Sequence, residues 1–278
     1  MDGNGYIRKV KDLFARRELI ASLVGRNLKI RYKSSVLGFF WSLLTPLCFI
    51  LIYAVFARLL KFGGPNYLQY LVTGIIVWQF TVSSLNDSLY SIVGNANLVK
   101  KVFFPRVILP MSTALANGVN FLLTFAVLLL YLVASGHAHF AQAWLLLPAF
   151  AMQVALCLGL ACLCGTSNVF FRDTEHIVGV ATQAWFFLSP IMYPQSFQTD
   201  LIAQKISAGA QWAAFLNPMT GILALYRKAL LGDEALLGGA PGPGGWFPFA
   251  VSAAMCLVVL FAGLAVLRAG DRRFGDVL

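Results

Sequence analysis

Charge is scarce in this sequence. Of 278 residues only 12% are Asp, Glu, Lys or Arg, and 11 are acidic, whereas 59% are hydrophobic. A soluble domain carries about 25% charged and about 45–50% apolar residues. This chain cannot cover a globular surface with polar groups in water, so a large soluble core is excluded and the apolar side chains must face lipid.

The signatures of catalysis are missing too. The dipeptide Gly-Lys does not occur, so no Gly-x-x-x-x-Gly-Lys loop binds ATP phosphates. Neither Gly-x-Ser-x-Gly nor His-Glu-x-x-His is present. His137 and His139 fall in a loop and read as surface residues rather than a metal pair. His176 stands beside Arg172, Asp173 and Glu175 and reads as part of an interfacial salt-bridge cluster. Cys48, Cys157, Cys162, Cys164 and Cys256 all lie inside apolar runs, with no His or further Cys at ligand spacing. They read as packing residues, not as a zinc site. Carboxylates deep in an apolar run, which mark proton or ion paths, are also lacking: Asp87 stands at the end of one. Residues 1–33 hold no short apolar stretch of the kind a cleavable signal needs.

What remains is long and apolar. A helix needs about 20 apolar residues to cross about 30 Å of hydrocarbon. Six stretches qualify: 36–60, 67–86, 107–136, 140–171, 177–199 and 246–267. They show none of the period-2 alternation of a membrane barrel. The fifth is broken near its end by Pro190 and Pro194. The expected fold is an all-α membrane protein with six transmembrane helices, residues 36–270, between an arm (1–35) and a tail (271–278). Sixteen of the 21 Lys and Arg residues fall in the arm, the loops after the second and fourth spans, and the tail. The positive-inside rule puts these segments, and both termini, in the cytoplasm. The net charge of +10 is thus a topology signal and not a nucleic-acid patch. Segment 196–228 is too short and interrupted to span. Re-entrant or interfacial helices are expected there on the outer face.

Val10, Leu13, Phe14, Ile20, Val24 and Leu28 share one stripe of the arm, interrupted by Arg17. Such a helix lies along the inner leaflet with its bases near anionic headgroups. Anchoring and docking of a cytoplasmic partner both suit it. Within the spans, Asn117 and Asn120 share a helix face. With Ser42, Thr45, Gln153, Thr182 and Gln183 they are suited to bonding between helices. Ala151, Ala155 and Gly159 form a small-residue ridge. Aromatics cluster at Phe39, Phe40 and Trp41, at Trp78 and Phe80, and at Trp185, Phe186, Phe187 and Tyr193. They read either as interface anchors or as faces that stack on the C–H side of sugars.

Three segments are more specific. Residues 26–41 read Arg-Asn-Leu-Lys-Ile-Arg-Tyr-Lys-Ser-Ser-Val-Leu-Gly-Phe-Phe-Trp, followed by Pro46. Residues 97–106 read Asn-Leu-Val-Lys-Lys-Val-Phe-Phe-Pro-Arg, followed by Pro110. Residues 216–221 read Leu-Asn-Pro-Met-Thr-Gly, followed by Tyr226-Arg227. Together they resemble the permease of an ABC-2 type exporter, in the branch that exports O-antigen, capsule and teichoic acid. Asn27 replaces the acidic residue usual after the first arginine.

The resemblance implies a homodimer in a bacterial inner membrane, paired with two copies of a separate ATPase that binds ATP and Mg. The chain itself would carry no cofactor, metal or catalytic residue and bind no nucleic acid. Its substrate would be a lipid-linked glycan, O-antigen foremost, moved amid membrane lipids. Segment 92–104 resembles the coupling helix, with Asn97, Lys100, Lys101, Phe103, Phe104, Pro105 and Arg106 as contacts. The arm resembles the gate or interface helix, with Arg26, Lys29, Arg31, Tyr32 and Lys33. Spans one and five resemble the pathway pair, and the expected pathway residues are Phe39, Trp41, Trp78, Trp185, Phe186 and Tyr193, with Asn117 and Asn120. Rival readings are an exporter of a drug, lipid or haem, and a membrane-embedded glycosyl- or acyltransferase. For the latter only His176 with Asp173 and Glu175 offers an acid–base group.

Overall fold

The computed structural model describes residues 16–32, 40–60, 66–101, 104–232, 245–271 and 273–277. Among these there is no strand. The helices are α1 (Arg17–Tyr32), α2 (Trp41–Leu60), α3 (Tyr67–Leu89), α4 (Ala96–Lys101), α5 (Ile108–Ala134), α6 (Leu146–Phe170), α7 (Thr174–Leu188), α8 (Gln195–Lys205), α9 (Pro218–Leu231), α10 (Phe247–Asp271) and α11 (Phe274–Val277). Short 3-10 turns precede α4 (Val93–Asn95) and α6 (Ala143–Leu145), and a longer one (Ala208–Leu216) leads into α9.

Among the described residues four helices are long and apolar enough to cross a membrane: α3, α5, α6 with its leading turn, and α10. They correspond to the second, third, fourth and sixth expected spans. The first expected span contains α2, with residues 36–39 outside the described residues.

The fifth expected span differs. Instead of running to residue 199, α7 stops at Leu188 after 15 residues. At about 1.5 Å per residue it is about 22 Å long, short of a bilayer core. The reason is local. Proline disfavours helix at the residue before it, and Ser189 is extended (φ −101°, ψ 142°). Pro194 then opens α8 as its N-cap, so residues 195–199 belong to a separate helix. The tail also differs from a free end, because Phe274 of α11 is fully buried.

The core sits around α9. Almost every residue from Pro218 to Leu230 is buried, although this helix is only 14 residues long. It is packed between α3, α6 and α10. Its start is set by Asn217, whose side chain accepts from Met219 N, with Pro218 in the first turn. Its end is set by Gly232 in the left-handed region (φ 63°).

The most extensive helix pairing is α6 with α10. It rests on backbone contact, not on interdigitated large side chains. A Cβ on Gly263 would lie 2.0 Å from Gly159 O, and one on Gly159 would lie 2.6 Å from both Val259 O and Leu260 N. Of the small-residue ridge expected at Ala151, Ala155 and Gly159, the last member makes this contact, Ala155 is half-buried and Ala151 is exposed. The buried stripe of α10 runs Ser252, Cys256, Gly263, Leu267, Gly270, so the chain keeps small residues where the two helices meet. Two buried amides of α6 hold α3: Gln153 Nε2 donates to Val77 O at 2.7 Å, and Asn168 Nδ2 to Leu89 O at 2.8 Å.

Gly263→Ala is expected to destabilise the protein by about 1–3 kcal/mol, the usual cost of overpacking. Gly179→Ala, where an added Cβ meets nothing within 4 Å, should be neutral or stabilising by up to about 1 kcal/mol. Thermal unfolding of the purified variants in detergent separates the two. Equal midpoints would remove the glycine contact as a determinant of the α6–α10 pairing.

Candidate coupling and pathway sites

One end of the molecule is basic. There α3, α6 and α10 finish, α5 begins, and α1 lies against α5. These elements share a second apolar core in which Leu23, Ile92, Val99, Phe104, Ile108 and Phe274 are buried. Leu23 is the deepest residue of α1 and was not in the stripe drawn from the sequence, part of which (residues 10–14) lies outside the described residues. Ile92, Val99 and Phe104 root segment 92–104 inward and leave Asn97, Lys100 and Lys101 exposed. Arg106 turns back to Asp271, bonding its carboxylate at 3.0 Å and its main-chain carbonyl, and lies 5.6 Å over the Phe274 ring. Pro105 is half-buried beside it. Phe103 and Lys33 lie outside the described residues, as does the side chain of Tyr32. Arg26, Gly94, Asn95, Asn97, Leu98 and Lys101 line an open groove beside the exposed lysines.

Two arginines fasten α1. Arg26 donates to Asn95 Oδ1 at 2.5 Å, in the turn that leads into α4. Arg31 forms an ion pair with Asp87 at the end of α3. Asn117 Nδ2, on α5, donates to the same Asp87 oxygen at 2.9 Å. Lys29 is exposed. Arg172, Asp173, Glu175 and His176 are all exposed and form no ion pair with one another, so the salt-bridge cluster expected there is not built. Instead Glu175 faces the Tyr90 hydroxyl and holds that phenol above its ordinary range.

At the opposite end the break after α7 strands a run of main-chain carbonyls in apolar surroundings, where each needs a donor. Every carbonyl from Phe187 to Tyr193 has one. Phe187 O accepts from the Tyr193 hydroxyl. Leu188 O accepts from Asn217 and Gln198. Ser189 O accepts from Ile191 N. Pro190 O and Ile191 O accept from Arg227 at 2.5 and 2.9 Å. Met192 O and Tyr193 O accept from Tyr67 and Tyr70.

Arg227 is 0% exposed. Its guanidinium also donates to Tyr70 O and lies 3.3 Å over the Tyr70 ring. Gly74 makes the room: a Cβ there would come within 2.5 Å of Arg227 Nη2. Asn217 grips the same break from the other end of α9. Its Nδ2 donates to Ser189 Oγ at 2.9 Å, and its Oδ1 accepts from Trp185 Nε1 at 2.8 Å. Sequence reasoning counted Arg227 as an outer-face charge and missed this role. The available signal was an arginine inside an apolar helix, in a chain whose preceding span is broken by two prolines.

The expected pathway residues do not form one surface. Trp78 is buried, edge-on to Trp185 at 5.3 Å and to Phe186 at 5.8 Å. This trio packs α3 against α7. Tyr193 is half-buried, and Phe39 lies outside the described residues. Trp41 is exposed on α2. Asn117 and Asn120 lie far from these rings in sequence and space, in a cleft under α1.

The ABC-2 type transporter family matches residues 18–231, and the chain belongs to it. The resemblance read from segments 26–41, 97–106 and 216–227 therefore holds at the level of the family. Among its relatives, the O-antigen export system permease protein RfbA of Klebsiella pneumoniae is 34% identical over 77% of this chain and 80% of its own length. The O-antigen export system permease protein RfbA of Myxococcus xanthus is 30% identical over 97% of this chain and 99% of its own. The capsule polysaccharide export inner-membrane protein BexB of Haemophilus influenzae is 25% identical over 81% and 84%.

Arg227→Met should orphan the carbonyls of Pro190 and Ile191 at about 1–3 kcal/mol each. Arg227→Lys, with a point-like ammonium in place of a planar fork, should fall between the parent and the methionine variant. Unfolding midpoints in that order are expected. A methionine variant as stable as the parent would show that the guanidinium does not hold the break.

Proposed function

We propose that this chain is the permease subunit of an exporter that moves a lipid-linked polysaccharide, O-antigen foremost, across the bacterial inner membrane, with ATP hydrolysed on a separate subunit. The observation that carries the reading is the similarity to permeases of O-antigen export, over 77% of the chain in one relative and 97% in another. The lack of a phosphate-binding Gly-Lys loop agrees with an ATPase on another chain.

In this reading both termini and the basic end are cytoplasmic, and α2 and α7 complete six spans with the four long helices. Segment 190–231, with α8 and α9, is re-entrant from the outer face. Two copies form the pathway, with α2 and α7 facing it. In support, α2 and α7 leave Trp41, Leu51, Ile52, Ile177, Val180 and Phe187 exposed. ATP closes two copies of the ATPase against the exposed Asn97, Lys100 and Lys101. The motion enters through α4, whose inner face shares a core with α1, α5 and α11. The two copies then shift against one another and a glycan passes between them. The chain performs no covalent chemistry.

Two experiments test the parts. Lys100→Glu combined with Lys101→Glu should lower co-purification of the ATPase while membrane levels of the chain hold. Undiminished co-purification and export would remove these lysines from the docking surface. Trp41→Ala should reduce surface glycan roughly two- to tenfold if the indole stacks on sugar at the strength of an aromatic pair, about 0.5–1.5 kcal/mol. Unchanged export at normal expression would sink that role.

A further inference from the structure

Under α1, between the end of α3 and the start of α5, lies a cleft of about 260 Å³. Its polar wall includes Asn27 from α1, Asp87 and Ser91 at the end of α3, and Thr113, Asn117 and Asn120 from α5. Leu28, Ile30 and Tyr90 supply apolar surface.

The charges in it are balanced. Arg31 is the cation among the described lining residues, and it is already paired with Asp87. An anionic ligand would find its cation taken, and a cationic one would find its carboxylate taken. Three of its polar groups present acceptors. Asn117 is 3% exposed and its Oδ1 accepts no hydrogen bond, although its Nδ2 is used. The Thr113 hydroxyl donates to Leu109 O, and the Ser91 hydroxyl to Ser88 O. Both therefore turn lone pairs, not protons, to other partners. A ligand that suits this wall is neutral and rich in donors, with a C–H face for the apolar side. Hydroxyl groups on adjacent carbons meet all of these requirements.

We propose that this cleft binds a vicinal-diol group, clasped between α1 and α5. Two sources carry that chemistry: a sugar ring of the exported polymer, which rests on the function proposed above, and the glycerol headgroup of a membrane lipid, which does not. The bound group bridges α1 to α5. Arg26 of the same helix holds Asn95 in the turn before α4, so occupancy of the cleft is felt at the segment that faces the ATPase.

The test uses the full chain in nanodiscs of phosphatidylcholine. Amide hydrogen exchange of residues 26–31 and 90–95 is followed while methyl α-glucopyranoside is titrated, and separately in discs doped with phosphatidylglycerol against discs doped with the same fraction of phosphatidic acid, which carries the charge without the diol. Saturable slowing of exchange by the glucoside assigns the cleft to a sugar, and slowing by phosphatidylglycerol beyond that by phosphatidic acid assigns it to a headgroup. Thr113→Val and Asn117→Ala should each weaken the effect roughly fivefold, the worth of about one hydrogen bond. Ser135→Ala, at the far end of α5, should leave it unchanged. If Asn117→Ala fails to fold, Thr113→Val decides alone. Exchange that neither probe slows, or that both probes slow equally in the two cleft variants, overturns the proposal. A cleft that stays empty in a chain that still exports glycan removes only the cleft and leaves the function standing.

Discussion

A helix broken inside an apolar interior must find a donor for every carbonyl it exposes, and that constraint organises the far end of this molecule. Pro190 and Pro194 end α7 early, and the seven carbonyls from Phe187 to Tyr193 are then met one by one. Most donors come from two places: the tyrosines that open α3 and the two ends of α9. Burial of α9 follows from this duty. The helix brings a guanidinium to Pro190 and Ile191 at one end and an amide to Leu188 and Ser189 at the other. An arginine with no water around it is tolerable because it has carbonyls and an aromatic face in its place.

The remaining helices are held by a different means. In lipid no hydrophobic force drives helix against helix, so close backbone approach and a few buried amides do the work. Gly159 against Gly263 provides the first between α6 and α10. Gln153 and Asn168 provide the second between α6 and α3. The bundle α3–α6–α9–α10 is thus tied on several sides, whereas α7 is attached through its broken end, the Trp78–Trp185 contact and Val178, which is buried with Leu85, Leu89 and Cys164. Most of the rest of α7 is exposed, which leaves a face open to a partner.

Much of the fold was legible in the sequence because its signal is local. A run of apolar residues specifies a span without reference to anything distant, and α3, α5, α6 and α10 follow the hydropathy closely. The break in the fifth span was also visible at Pro190 and Pro194, since two prolines act on their own neighbours, but the span was carried about ten residues too far: the apolar run continues past Leu188 while the helix does not. Roles that depend on distant partners were not legible. Arg227 meets Tyr70, 157 residues upstream, and nothing near it in the chain reveals whether it faces water or carbonyls. Asn117 was read as sharing a helix face with Asn120 and expected in the pathway; only the docking of α1 makes it part of a cleft. Trp78 and Trp185 were read as pathway candidates, yet a large apolar ring is equally what a packing contact between α3 and α7 needs.

The two arginine contacts of α1 also bear on biosynthesis. Their partners, Asp87 and Asn95, are translated 56 and 69 residues after Arg31 and Arg26. This helix therefore has no seat until α3 and the turn beyond it have been made and inserted. Until then it can rest only on the membrane surface, where its lysines and arginines suit anionic headgroups. A helix made before its partners is thus seated after them, and its docking reports that the segments around α3 and α5 are in place.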